Sequence, residues 1–410
     1  MPESDGITLY GAHWCPDCRR SKKFLGEQMV TYDWVDIEQD EDARRHVEEI
    51  NDGKRIIPTI VFPDGEILVE PSNAELAAKL GLQTKAQMDH YDLIIVGGGP
   101  AGLTAAIYTA REGIETLIVE MGGLGGQASA TERLDNYPGF PDGITGQEWA
   151  ERVTTQARNY NVEILQAQEV VRVEINEPYR YVFTGDGSCY SAQAVLLATG
   201  ADYKRLNVPG EEDFIGAGVH FCATCDGPFY KGQEVVVIGG GNSATEESLF
   251  LTKFSPHVTL LVRGDGLKAS QVLIDKIMEK PEIDVRFQTQ VQSFHGTGGK
   301  LTHMRTVNRQ TGEEQTLTPG GVFVFIGQEP NSDFAADSVQ RDEWGFIITG
   351  HDLVHVPAFE GERPPMLLET SMPGVFAAGD VRAGSTKQVA AAAGEGATAA
   401  LMVREFLKGV

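Results

Sequence analysis

Two stretches of this chain share one arrangement that leaves the backbone few options. In the first, the apolar run Tyr91-Asp-Leu-Ile-Ile-Val96 leads into Gly97, Gly99 and Gly102, then an apolar helix to Arg111, then Thr116-Leu-Ile-Val119 and Glu120. In the second, Glu234-Val-Val-Val-Ile238 leads into Gly239, Gly241 and Ala244, and the strand His257–Val262 ends beside Arg263. A lone Gly-x-Gly-x-x-Gly says little. Set between a buried strand and a helix, with an acid 18 residues after the last glycine, it marks a parallel β-α-β unit that binds a dinucleotide. The glycines let a pyrophosphate approach the N–H groups of the helix start. Glu120 suits a ribose diol, whereas Arg263, helped by Lys268, suits a 2′-phosphate. Different strand-end residues imply different dinucleotides, FAD at the first unit and NADP at the second.

Inside the second half of the chain lies Phe221-Cys222-Ala-Thr-Cys225-Asp226-Gly-Pro228. Taken alone, a C-x-x-C pair is a redox dithiol, half of a zinc site, or two small buried residues. A second pair, Cys15 and Cys18, stands near the N-terminus, and a gap of some 200 residues makes four shared zinc ligands awkward. The fifth cysteine, Cys189, sits in a polar turn before an apolar strand and reads as a structural residue at or near the core. This usage is unlike a secreted disulfide framework. With 410 residues, 41% hydrophobic and 23% charged, the chain is an ordinary globular protein of two to four domains. A net charge of −25 excludes nucleic acid and anionic membranes as partners. No apolar run is long enough to span a bilayer and the first residues lack a signal peptide's pattern, so a cytoplasmic location is the default expectation.

The first 85 residues read as β-α-β-α-β-β-α, with Cys15-Pro-Asp-Cys18 opening the first helix. Pro16 suits the first helical turn, and Cys15 at the helix N-terminus gains thiolate stability from the dipole and from the bases at 19, 20, 22 and 23. On Trp14-Cys-Pro-Asp-Cys18, Val35-Asp-Ile-Glu38, Ile57-Pro58-Thr59 and Pro71-Ser72, the segment resembles the thioredoxin fold, in its glutaredoxin and mycoredoxin branch. The resemblance implies that Cys15 is the exposed attacking thiol, Cys18 the resolving one, and Pro58 a cis-proline beside them. The Gly-Gly element with which glutaredoxins hold glutathione is not evident near Pro71-Ser-Asn-Ala-Glu75. Residues 86–90 close a short polar linker.

From residue 91 onward the chain resembles the low-molecular-weight thioredoxin reductases, on Gly97–Gly102, Asn136-Tyr-Pro-Gly139, Ala198-Thr-Gly200, Cys222–Gly227, Gly239–Ala244, Gly327 with Pro330-Asn331, and Gly379-Asp380. The implied fold is α/β: a flavin domain made of 91–205 and 329–410, with an NADPH domain, 206–328, inserted between them. The resemblance assigns FAD to Gly97, Gly99, Pro100, Ala101, Gly102, Glu120, Gly126, Gln127, Asn136, Thr199, Gly200, Gly379, Asp380, Gln388 and Val389. It assigns the nicotinamide nucleotide to Gly239, Gly241, Asn242, Ser243, Ala244, Arg263, Lys268 and Gly327. Cys225 becomes the flavin-side sulfur, Cys222 the interchange thiol and Asp226 the acid that protonates a departing thiolate. With this context the metal reading of the cysteines loses its support. A homodimer with a swinging NADPH domain is implied too.

Two departures stand out. The family's His-Arg-Arg-Asp-Gly-Phe-Arg is here Val262-Arg-Gly-Asp-Gly-Leu-Lys268, with one arginine lost and one replaced by lysine. Lysine lacks the bidentate fork, so a weakened preference for NADPH over NADH is expected. Residues 350–365 form an extended segment with no functional reading. The function expected is a self-contained disulfide reductase, with electrons running from NADPH through FAD, Cys222/Cys225 and Cys15/Cys18 to a low-molecular-weight or protein disulfide. The alternative is a reductase serving a separate thioredoxin or peroxiredoxin system, its N-terminal unit a docking or sensing module. Peroxide-system reductases carry two thioredoxin folds there, and 85 residues hold only one.

Overall fold

The computed structural model describes residues 6–409 except 13, 29, 132, 135, 298 and 356–362; the side chains of 27, 130, 224, 225 and 355 also lie outside the described set. The chain divides into two compact units. One is Met1–Ser129, Gly146–Gly200 and Asn331–Val410; the other is Ala130–Thr145 and Ala201–Pro330.

The N-terminal part of the first unit carries a four-stranded sheet in the order Tyr32–Asp36, Ile7–Gly11, Thr59–Val61, Ile67–Val69. The first two strands run parallel, as a helical crossover requires, and the last two form an antiparallel hairpin. Phe24 and Leu25 of the helix Pro16–Glu27, Ile60 and Phe62 of the third strand, and Leu76 of the last helix bury the sheet's faces. That last helix, Asn73–Lys79, starts at a capping box in which Ser72 and Glu75 satisfy each other's backbone N–H groups. The Ile57–Pro58 peptide bond is cis, as the sequence reading expects.

The linker is not free coil. The Gln83 carbonyl accepts from Gln166 N–H at 2.9 Å, and the Glu163 carboxylate takes bonds from Gln83, the Gln87 N–H and the Tyr91 hydroxyl. The end of the first helix adds Gln28, which donates to the Gly122 carbonyl at 2.7 Å and accepts from Gln166 Nε2 at 2.7 Å. Ala167 packs into the N-terminal core. The glutaredoxin-like unit is thus seated on the strand ends of the next domain, because the polar stretch offers backbone and amide groups in register with theirs.

The large sheet of the first unit is built on parallel pairing of Thr116–Val119, His90–Val96, Cys189–Leu197 and Val375–Ala377. These strands are near-continuous apolar runs because both faces are covered. Cys189 opens its strand with an exposed side chain, not the near-core position expected. Alternation decides this: Tyr190 and Ala192 point inward, which turns Cys189 out. The helix Val389–Leu407 lies hard against Pro100–Arg111, since a Cβ on Gly396 would come 2.2 Å from the Ala101 carbonyl oxygen. In the second unit a five-stranded parallel sheet, ordered Val219–His220, Gly321–Val324, Val235–Ile238, Val258–Leu261, Ile283–Arg286, stands beside a three-stranded antiparallel sheet.

Of the segment 350–365, Gly350–His355 is a 3-10 helix rather than extended chain, and residues 356–362 lie outside the described residues. On its far side, Arg363 makes a two-pronged bond, 2.7 and 2.8 Å, to Glu369, whose side chain is fully buried and also accepts from the Met366 and Gly374 N–H groups. Glu369→Ala would orphan both N–H groups and the guanidinium. It is expected to cost about 3 kcal/mol, read as a fall in Tm.

Candidate functional site

In the first unit the glycine-rich turn is shaped for a ligand. Gly97 has φ +105°, and a Cβ there would meet the Ala198 carbonyl oxygen at 2.4 Å. A Cβ on Gly102 would meet the Gly97 oxygen at 2.0 Å, so the helix can start this close to its own turn only with glycine at that place. Gly99 differs. It is the N-cap, in ordinary extended conformation, and a Cβ there would meet nothing within 4 Å. Pro100 occupies the first helical turn and Ala101 is buried behind it. Gly126 lies over this turn, its missing Cβ 3.3 Å from Gly99 Cα; Gln127 follows in the same 3-10 turn. The Glu120 carboxylate holds the loop through the Gly98 N–H at 2.5 Å and the Gly122 N–H at 2.6 Å.

Other segments converge on the same helix start. Thr199 and Gly200 exchange hydrogen bonds with Asn331. Gly379 packs against Ala101, and its N–H donates to Glu395 Oε2 at 2.7 Å; Glu395 also pairs with Arg382 at 2.6 Å. The Lys387 ammonium donates to the Asp380 carbonyl oxygen, and burial pushes the Asp380 carboxyl above its usual range. Gln388 caps the helix that Val389 opens. Open space at Gly99, a helix start with no side-chain cap and an acid at the strand end fit a dinucleotide. Glu395 was not foreseen, since nothing local links it to Gly379. Asn136 lies in 130–145, which belongs to the second unit.

The second unit repeats the device. Gly239 has φ +154° with a Cβ position 2.3 Å from the Phe325 oxygen and 2.7 Å from Ala244, while Gly241 at the N-cap of Asn242–Leu251 again faces open space. Ser243 follows in the first helical turn. Asn242 Oδ1 accepts from the Ser270 N–H at 2.8 Å, and Lys268 N–H donates to the Gly240 oxygen at 2.6 Å, which brings Lys268 to the glycine turn. Arg263 is exposed at the strand end. Beside it stands a cation the sequence reading missed: Arg309, whose guanidinium donates to the Arg263 carbonyl oxygen at 3.3 Å. Gly327 immediately precedes the strand Gln328–Pro330, and its carbonyl accepts from the Lys204 backbone N–H at 3.0 Å.

Cys222 and the N-terminal cysteines are in different states. Cys222 is disulfide-bonded, and the Cys225 side chain lies outside the described residues. Asp226 closes the short helix Ala223–Asp226, its N–H donating to the Cys222 oxygen at 3.1 Å. Cys15 and Cys18 are free thiols. Cys15 is the N-cap of its helix, and its sulfur accepts from the Cys18 N–H at 3.1 Å and reaches the Ile57 carbonyl at 3.8 Å. It is 4% exposed, not the open thiol expected, because the Ile57–Pro58 turn lies against it. Trp14, 65% exposed, flags the spot instead. Cys18 is fully buried, and burial, then the Cys15 bond, pushes its thiol up to about 12.

Comparison with known proteins agrees with this division. The pyridine nucleotide-disulphide oxidoreductase family matches residues 91–396, and the glutaredoxin family matches residues 7–68. The chain is 38% identical over 318 residues to a thioredoxin reductase of Bacillus subtilis, covering 78% of this chain and 95% of that one. It is 39% identical over 317 residues to a bifunctional thioredoxin reductase/thioredoxin of Mycobacterium leprae, covering 77% of this chain and 66% of the relative. Among solved structures, the thioredoxin reductase of Streptococcus pyogenes superposes with a TM-score of 0.72 at 37% identity, over 78% of this chain and 99% of that one.

Proposed function

The chain belongs to the pyridine nucleotide-disulphide oxidoreductase family, as a thioredoxin reductase-like flavoprotein disulfide reductase with a glutaredoxin domain at its N-terminus, and we propose that it relays electrons through both of its dithiols. The order is NADPH, FAD, Cys222/Cys225, Cys15/Cys18, then a low-molecular-weight or protein disulfide. One observation carries the reading: a disulfide at Cys222 and a capped dithiol at Cys15/Cys18 occur on one polypeptide. FAD, when bound, supplies the two-electron step between the nicotinamide and the Cys222 disulfide.

The chain's own groups do the rest. Glu120 and the Gly97–Gly102 turn would hold the flavin nucleotide. Gly239, Gly241 and Lys268 hold the second. Asp226 protonates the departing thiolate, a general-acid role. Cys222 attacks the Cys15–Cys18 disulfide, and tethering gives that encounter an effective concentration of up to about millimolar. A cytoplasmic homodimer is the proposed working form. The test is the double variant Cys15→Ser, Cys18→Ser assayed with small disulfides. Lost NADPH consumption supports the relay, and unchanged consumption overturns it.

Arg309 changes the cofactor expectation. The local motif counts only Arg263 and Lys268, but the Arg309 guanidinium beside Arg263 restores a second fork for a 2′-phosphate. A clear NADPH preference follows. Arg309→Ala is expected to raise the KM for NADPH about tenfold and leave that for NADH unchanged. An equal rise for both would mean that Arg309 serves only the loop.

A further inference from the structure

Beside the Cys222 disulfide, the second unit contains a line of polar side chains that the dinucleotide motifs and the cysteine spacing do not account for. His220 ends the strand Val219–His220, two residues before Cys222, and is 7% exposed. Strand register sets it opposite Phe323, whose ring centroid is 5.4 Å away. Its Nδ1 is 3.3 Å from Asp226 Oδ2, and its Nε2 is 2.6 Å from the Tyr230 hydroxyl. Tyr230 is fixed in turn, edge-on to Phe323 at 5.7 Å and against Gly321, where a Cβ would come 2.5 Å from its ring. Among the described residues, the titratable groups on His220 are Asp226 from the short helix and Tyr230 from the turn Gly227–Tyr230. The sheet presents the apolar Phe323.

A buried imidazole with both nitrogens engaged in this way accepts two protonation states without moving. When neutral, Nδ1–H donates to the carboxylate and Nε2 accepts from the hydroxyl. When cationic, both nitrogens donate and the hydroxyl turns to accept. A proton shared by such a couple belongs to the pair rather than to either residue.

We propose that His220, held by Tyr230, is a positioning residue for Asp226, sharing with it the proton that a thiolate leaving the Cys222 disulfide takes up. The inference rests on the reading of Asp226 as the acid. With a dithiol as reductant, its thiolate forms a new S–S bond to one protein sulfur and the old S–S bond breaks. The departing sulfur carries the electron pair and takes the proton from the pair. The second thiol of the reductant then displaces the first protein sulfur and gives it its proton, closing the oxidised reductant; the proton that the first reductant thiol lost to solvent in forming its thiolate returns to the pair, leaving two protein thiols and a reprotonated pair.

The test uses the full-length, FAD-loaded protein without NADPH. Dithiothreitol reduces the Cys222 disulfide, and alkylation with mass spectrometry counts the freed thiols over a pH series, with rates divided by the dithiothreitol thiolate fraction. In the parent protein the corrected rate holds through neutrality and falls on an alkaline limb. His220→Gln moves that limb down by about one pH unit and slows the reaction about tenfold at neutral pH. Tyr230→Phe moves it the same way by less, and stands as the test if His220→Gln does not fold. Asp226→Asn removes the limb. Limbs unmoved in the His220 or Tyr230 variant, with the Asp226→Asn profile flat, would overturn the role of His220 and keep Asp226 as a lone acid. A parent-like profile in Asp226→Asn would remove the acid reading itself.

Discussion

Cys15→Ser is expected to lower NADPH-driven reduction of low-molecular-weight disulfides by at least about 100-fold, while the flavin and the Cys222 disulfide are still reduced at the parent rates. The reason lies in the asymmetry of the N-terminal pair. Cys15 caps a helix, and the Cys18 N–H points at its sulfur at 3.1 Å. Cys18 is fully buried, and burial and the Cys15 bond push its thiol up to about 12, so near neutrality it stays protonated. Only the thiolate attacks a disulfide, and serine offers no substitute. Cys18→Ser should behave differently. Cys15 still attacks, but the mixed disulfide is not resolved within the chain and accumulates on Cys15, where mass spectrometry finds it. Stopped-flow absorbance separates flavin reduction from turnover. A Cys15→Ser protein that consumes NADPH with small disulfides at the parent rate would mean that Cys222 delivers directly to a free partner.

Legibility from sequence follows how local each constraint is. The thioredoxin-like order of the first 85 residues and both glycine turns were readable, because turn chemistry, a capping box and apolar runs act over a few residues. The cis bond at Pro58 was foreseen only through the resemblance of this segment to the thioredoxin fold. What escaped is set by chain folding. Arg309 stands 46 residues from Arg263, and only the return of an antiparallel sheet brings them together. Glu395 reaches the Gly379 N–H from the far end of a helix turn. Gln28 meets Gln166 across 138 residues, so the docking of the N-terminal unit has no local signal. The burial of Cys15 was missed because proximity to the Ile57 carbonyl is a tertiary fact. His220 had a weak signal: an ionisable residue at the end of a strand, two before a redox cysteine, is a poor core choice unless it has partners.

The other large effect separates two jobs done by glycines of one motif. Gly102→Ala is expected to yield protein without FAD and less stable by about 3 kcal/mol, because its Cβ would sit 2.0 Å from the Gly97 carbonyl oxygen. The obstacle is backbone, so no rotamer relieves it. The helix Pro100–Arg111 could move off its turn only by breaking its fit to Val389–Leu407, where Gly396 already lies against Ala101. Gly99→Ala adds the same methyl three residues earlier, at φ −78° and ψ −170°, where alanine is unstrained and nothing stands within 4 Å. Its apoprotein should unfold within about 0.5 kcal/mol of the parent. Yet it should bind FAD on the order of 100-fold more weakly, since the methyl takes the space through which a pyrophosphate reaches the helix N–H groups. Urea unfolding of the apoproteins and flavin-fluorescence titration measure the two effects separately. Equal destabilisation of both variants, or parent-like FAD affinity in Gly99→Ala, would show that the open space at Gly99 is not where the pyrophosphate lies.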